Sequence, residues 1–271
     1  MTSRSAPAPV ALDWSRLAEP QSDGYDTDVV ETLAGAVGTT RSGPGRWFAI
    51  APVYAGRPDF ERNFRGFGDA DEAHPNVARA VALVDCWPAG ATQVRRLISD
   101  LHAATDPRVE DGLDPTAIAT ASHSYADTPG TLWATVHSAL GLAEAIVHEM
   151  AHHKLRAYGV RFESADRIVA NAPGERFPSV LLGGRARPMP AVLHAHFALL
   201  HMVALKVGLL STATHASEPL TRVWLRRDLQ ALARSGGTVR RGIVVDTDGE
   251  RFLPALWRWQ QRLLEEARSW L

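Results

Sequence analysis

Residues 142–158 read LAEAIVHEMAHHKLRAY and are followed by Gly159. Leu142, Ile146, Val147 and Leu155 recur at three- and four-residue intervals, which predicts one helix over Leu142–Tyr158. Gly159 suits the left-handed position that ends such a helix. A helix this apolar is expected in a core, so other elements must cover it. The sequence after it offers three more helices, at about Ala191–Leu209, Leu220–Arg234 and Leu253–Trp270. The last is amphipathic through Leu256, Trp257, Leu263, Leu264 and Ala267. Between the first two, Val160–Pro190 is rich in Gly and Pro and reads as irregular. Val239–Asp246 reads as a strand, with Asp248-Gly249 as turn chemistry.

Upstream, Thr116–Tyr125 and Gly130–His137 read as two strands joined by a turn at Ala126–Pro129. The first hundred residues change pattern often. Asp28–Val37 reads as helix and Trp47–Tyr54 as a buried strand. Val77–Val84 fits either, and Thr92–Ala103 has helical spacing through Val94, Leu97, Ile98 and Leu101. The acidic, Pro-bearing stretch Asp106–Pro115 reads as a loop and a subdomain boundary. The expected fold is therefore α+β, mainly helical with a small sheet. It comprises a frayed tail at 1–10, an α/β region at 11–105 suited to peptide recruitment, and a metal-binding catalytic region at 106–271.

The 271 residues hold 45% apolar and 22% charged side chains, a globular composition. Net charge is −1, which gives no basic field for nucleic acid or an anionic membrane. One cysteine, Cys86, excludes an internal disulfide framework and thiolate-rich metal sites, and its apolar neighbours suggest a buried small side chain. The N-terminus lacks the apolar core of a signal peptide. Pro190–Leu210 is greasy but carries His194, His196, His201 and Lys206, against a transmembrane reading. A cytoplasmic protein is expected. Lys154 and Lys206 are its only lysines, a scarcity read as codon bias.

Within the decisive helix, His148-Glu149-Met150-Ala151-His152 forms an H-E-x-x-H. Residues four apart share a helix face, so both imidazoles can converge on one ion with Glu149 beside them. A pair of surface histidines is the bland alternative, and the apolar neighbours argue against it. The longer H-E-x-x-H-x-x-G-x-x-H pattern would need Gly at 155 and His at 158; Leu155 and Tyr158 exclude that family. A third ligand must come from farther away. His194, His196 and His201 are imidazole candidates, with His194 and His201 on one face, and Glu163 and Glu175 are the carboxylate candidates. His196 and His201 read better as hydrogen-bonded core residues.

The run AEAIVHEMAHHKLRAYGV, followed by RARPMPAVLHAHFALL, is similar to a bacterial family from peptide-modifying gene clusters: the HExxH-type, iron- and 2-oxoglutarate-dependent peptide β-hydroxylases. The similarity lies in Ile146-Val147-His148-Glu149 through Leu155, in Arg187-Pro188, and in Val192-Leu193-His194-Ala195 with Phe197–Leu200. The approach SHSYADTPGTLWATV is similar as well. The resemblance covers about residues 118–205. A second arginine, in a W-R-P-type run of the family, falls where this chain has Leu182-Gly183-Gly184, and Arg185 is its nearest substitute.

The resemblance implies iron(II) on His148, His152 and His194, between the H-E-x-x-H helix and the following long helix. 2-Oxoglutarate and dioxygen would be cosubstrates, and the β-carbon of a residue in a precursor peptide would be hydroxylated. Arg187, or else Arg185, would grip the distal carboxylate of 2-oxoglutarate. Glu149 would orient its neighbours or touch substrate. The competing reading is a zinc metallopeptidase with Glu149 as general base; a third is a non-catalytic peptide-binding scaffold. In the hydroxylase, the Gly130–His137 strand is a geometric candidate for an edge to which peptide adds.

Overall fold

A computed structural model describes residues 12–34, 49–51, 67–70, 74–110, 120–179, 184–212 and 218–271. The expected tail at 1–10 lies outside the described residues, as do the C-terminal part of the 28–37 helix, most of the 47–54 strand and residues 111–119 of the acidic loop and the strand after it. The fold is α+β and mainly helical.

After a 3₁₀ turn at Trp14–Arg16, the order is α1 (Tyr25–Ala34), β1 (Ala49–Ala51), β2 (Gly68–Asp69), α2 (Pro75–Asp85), α3 (Pro88–Leu97), β3 (Asp100–Thr105) and a one-turn α4 (Pro107–Glu110). Then come β4 (Ser122–His123), β5 (Thr131–Thr135), α5 (Ala139–Ala157), β6 (Phe177–Pro178), β7 (Ala186–Arg187), α6 (Met189–Ser211), α7 (Glu218–Gly242) and α8 (Thr247–Arg268). In the main sheet β3 lies parallel between β1 and β5, β4 runs antiparallel on the far side of β5, and β2 pairs antiparallel with the end of β3. Strands before and after Asp106–Pro115 therefore hydrogen-bond directly to one another. β5 is paired with β3 along its length and with β4 at Trp133 and Ala134, so that part of the edge expected for an incoming peptide is already occupied.

Helix α5 is the centre of the molecule. Ser138 caps it, accepting from Gly141 N at 3.2 Å, and Gly159 at φ +87° follows its last turn. Each side is tied to a different element. His153 Nε2 meets the Thr131 carbonyl of β5 at 3.2 Å. Lys154 Nζ donates to Asp26 Oδ2 of α1 at 2.8 Å and to Gln93 Oε1 of α3 at 3.1 Å. Glu144 pairs with Lys206 of α6, whose Nζ also lies 2.6 Å from Asp228 Oδ2 of α7. Both lysines of the chain are thus buried in ion networks, so their placement is structural as well as compositional. Helix α6 is long and apolar enough by composition to cross a membrane, yet almost all of it is buried inside the protein.

Four readings are corrected. The Thr92–Ala103 pattern mixes two elements: α3 ends at Leu97, Ile98 turns extended at φ −112° and ψ 118°, and Leu101 lies in β3. Apolar residues three and four apart are shared by a helix end and a following strand, so period alone misread them. Val239 is helical because α7 runs to Gly242, leaving Val245 only a bridge to Val169. Asp248-Gly249 is the first turn of α8, capped by Asp246, whose Oδ1 accepts from Gly249 N at 2.8 Å. Residues 107–110 of the acidic loop form a helical turn, with Arg108 N bonded to Asp106 Oδ1 at 3.0 Å. Val77–Val84 resolves as helix α2, with Pro75 in its first turn.

Candidate metal centre

Helical spacing puts His148, Glu149, His152 and Arg156 along adjoining strips of α5, and α6 brings His194 against them. His148 Nε2 and His152 Nε2 face each other at 2.9 Å. His152 Nδ1 lies 3.1 Å from His194 Nδ1, and His194 Nε2 lies 2.8 Å from the Val160 carbonyl oxygen. A carbonyl only accepts, so His194 Nε2 carries hydrogen. Burial holds His194 in its neutral form, pushing its pKa down to about 3, so its Nδ1 is a lone pair. His152 must then donate from Nδ1, which leaves its Nε2 lone pair pointing at His148. Burial, with the imidazoles of His148 and His194 crowding it against a second positive charge, holds His152 well below the usual histidine range as well.

This arrangement suits a divalent ion at the His148–His152 pair. Two imidazole nitrogens about 2.1 Å from one ion at a right angle stand about 3 Å apart, close to the separation found. Burial keeps the His152 donor neutral, as metal binding requires. His194 is brought into the cluster but meets the opposite edge of the His152 ring from the one facing His148. As placed it fixes the tautomer and angle of His152, the part a hydrogen-bonded neighbour plays for a ligating histidine. Among the described residues no group of three His, Cys, Asp or Glu side chains converges on a single ion.

Glu149 is buried, with Oε1 3.9 Å from His148 Nε2. Ser122 Oγ donates to its Oε1 at 2.7 Å and Ser124 Oγ to its Oε2 at 2.5 Å. Arg156 in turn donates from Nη1 to Ser124 Oγ at 2.9 Å and from Nη2 to the Ser124 carbonyl at 2.8 Å. Phe162 closes the cluster, its ring 5.0 Å from His152, 4.4 Å from His194 and 5.1 Å from the Arg156 guanidinium carbon.

The loop 159–168 positions both Val160 and Phe162. It is closed by Arg161 N to Ser164 O at 2.8 Å and Asp166 N to Gly159 O at 2.8 Å. Its ends are the left-handed residues Gly159 and Ile168, the latter at φ +71° and held through its N–H by Asp246 Oδ2 at 2.9 Å.

The other sequence candidates have partners of their own, or lie in the core or at the surface. Arg187 pairs with Glu163 at 3.0 Å, and Arg185 is exposed on the β6–β7 hairpin. Glu175 accepts from Asn171 at 2.7 Å. His201 Nδ1 donates to the Phe197 carbonyl at 2.8 Å, and His196 packs 5.2 Å from Trp257; both are core residues. Cys86 is half-buried at the end of α2.

Sequence reasoning missed Ser122, Ser124, Arg156 and Phe162. Two of these signals were present: serines two apart on a strand share a face, and Arg156 stands at the helical offsets i+4 from His152 and i+7 from Glu149. No family model matches the chain, and no curated protein matches it.

Proposed function

We propose that this chain is an iron(II)- and 2-oxoglutarate-dependent dioxygenase that hydroxylates the β-carbon of a residue in a ribosomally made precursor peptide, acting in the cytoplasm. The observation that carries the proposal is the facing pair of His148 and His152 Nε2 atoms with neutral His194 buried against it, in a stretch that resembles the peptide β-hydroxylases. His148 and His152 would hold the metal, with His194 the third ligand the resemblance implies. Iron bound there would couple decarboxylation of 2-oxoglutarate, giving succinate and carbon dioxide, to insertion of one oxygen atom of dioxygen into a C–H bond.

The protein's own part is orientation and exclusion of water. Val160 fixes the His194 tautomer, and His194 fixes that of His152. Phe162 covers both rings with an apolar face. The resemblance assigns the distal carboxylate of 2-oxoglutarate to Arg187 or Arg185.

One observation favours a zinc metallopeptidase: Glu149 stands beside the histidine pair, where a general base would act. Against it, both carboxylate oxygens already accept from serine hydroxyls, which suits an anchored side chain better than one that activates water. The deciding experiment is anaerobic. Iron(II) is added to metal-free protein and 2-oxoglutarate is titrated while the visible charge-transfer band of a chelated keto acid is recorded. A saturable band supports the dioxygenase. No band, with zinc retained through purification, overturns it in favour of the peptidase.

A further inference from the structure

Several arginines are satisfied by carboxylates, as Arg96 is by Glu31, Arg108 by Asp106 and Arg222 by Glu218, while Arg176 bonds backbone carbonyls at the surface. Arg156 is part-buried beside the histidines and, among the described residues, has no such carboxylate. Its two hydrogen bonds both go to Ser124, one to the hydroxyl and one to the carbonyl, and among the described residues no carboxylate stands within ion-pair distance of it. Three of its five N–H bonds, the Nε–H and one on each terminal nitrogen, have no acceptor among the described residues. Glu149 is its countercharge at one remove, reached only through the Ser124 hydroxyl. Burial penalises the guanidinium charge and lowers its pKa, an effect Glu149 only partly opposes. The group is nonetheless held firmly, clamped by Ser124 at one edge and lying over the Phe162 ring that covers His152 and His194. A planar cation fixed in orientation, short of acceptors and beside a histidine cluster is built for a planar bidentate anion.

We propose that Arg156 is the carboxylate-binding residue of the histidine site, receiving a ligand carboxylate on the edge that Ser124 leaves free. The carboxylate has two sources, a small 2-oxo dicarboxylate or an acidic side chain of a peptide, and the chemistry of recognition is the same. The inference rests on the reading of this cluster as the reactive centre and places the ligand's negative charge on Arg156 in preference to Arg187 or Arg185.

The test is isothermal titration calorimetry of the full-length protein without added metal, using 2-oxoglutarate and, separately, the peptide acetyl-Gly-Asp-Gly-amide. One of the two binds the wild type, and Arg156→Gln weakens that binding by about ten- to a hundredfold. Arg156→Lys, which keeps the charge but not the fork, falls between. Arg161→Ala, on the covering loop, binds as the wild type does. A loss confined to 2-oxoglutarate identifies the small acid as the source, and a loss confined to the peptide identifies the substrate.

Equal binding by wild type and a folded Arg156→Gln, checked by circular dichroism, overturns the proposal, as does binding that follows Arg187 instead or no binding by either probe. Should Arg156→Gln not fold, wild-type affinity in Arg156→Lys overturns it. Arg156-dependent binding in a protein that shows no iron–keto acid band removes the dioxygenase reading and leaves this one standing.

Discussion

His194 reaches the Val160 carbonyl through Nε2 at 2.8 Å while its Nδ1 meets His152 Nδ1 at 3.1 Å. One backbone oxygen, in a loop outside the H-E-x-x-H helix, thereby sets the tautomers of two histidines. His194→Ala removes that acceptor and leaves His152 Nδ1 buried without a partner. Metal affinity should fall at least tenfold, the scale of losing a neighbour that orients a ligand, and further where His194 itself ligates. Competition with a chromophoric chelator measures this. Unchanged affinity would detach His194 from the centre.

Glu149→Gln separates the two chemistries. Glutamine keeps one acceptor for the serine hydroxyls and replaces the other with a donor that Ser124 Oγ can accept, so the fold is expected to persist. The dioxygenase should retain measurable substrate-dependent succinate formation, since its reaction needs no carboxylate base. A peptidase would lose cleavage entirely. Succinate assay and peptide mass spectrometry on the same sample give both readouts.

The helices of the second half were legible because each carries a long apolar period, and α5 and α6 differ from their expected spans by two or three residues at most ends. The metal-binding pair was legible because four-residue spacing on a helix is a local fact. What was hidden is not local. The orientation of His194 depends on Val160, 34 residues away, and the setting of Glu149 depends on serines 27 and 25 residues earlier. The two lysines looked like compositional accident, because nothing along the chain brings Asp26 to Lys154 or Asp228 to Lys206. Element boundaries failed where β-branched residues continue a helix, as at Val239 in α7.

Gly159 offers a clean test of the covering loop. Its φ of +87° is a conformation that side-chain-bearing residues avoid, yet an added Cβ would meet nothing closer than 3.6 Å. Gly159→Ala should therefore cost about 1 kcal/mol through the backbone alone. A shift of the adjoining Val160 carbonyl would loosen its bond to His194, so the variant should also weaken metal binding. Denaturant unfolding and chelator competition report the two effects separately.

Stability should decline in mild acid. Burial pushes His196 down to about 3 and His153 down to about 4, whereas both take up a proton near 6.5 once unfolded. Between those values the unfolded chain binds more protons than the folded one, so stability rises with pH and is lost as pH falls from about 6.5. Near pH 5.5 each such histidine contributes a slope of about 1.2 kcal/mol per pH unit. His196→Leu should flatten the urea-midpoint profile between pH 5 and 6.5 by about one histidine's share. An unchanged profile would mean that His196 titrates alike in the folded and unfolded protein.

The Lys206 cluster makes the sharpest stability prediction, because three helices meet on one buried ammonium. Burial alone would lower the Lys206 pKa, but Glu144 and Asp228 outweigh it and the pKa is raised, so the lysine is charged at neutral pH. Lys206→Met fills similar volume and leaves two buried carboxylates with only the exposed Arg227 as countercharge, 2.9 Å from Asp228 and 3.9 Å from Glu144. Breaking a buried ion pair in this way costs about 3–5 kcal/mol. Glu144→Gln should cost less, since burial already raises the Glu144 pKa and Lys206 keeps Asp228 as its partner. The triple variant Lys206→Met, Glu144→Leu, Asp228→Leu should recover most of the loss, because an apolar trio of similar bulk needs no countercharge. Urea unfolding of the three variants measures the order, and a Lys206→Met protein as stable as the wild type would show that the cluster is not a working clasp between α5, α6 and α7.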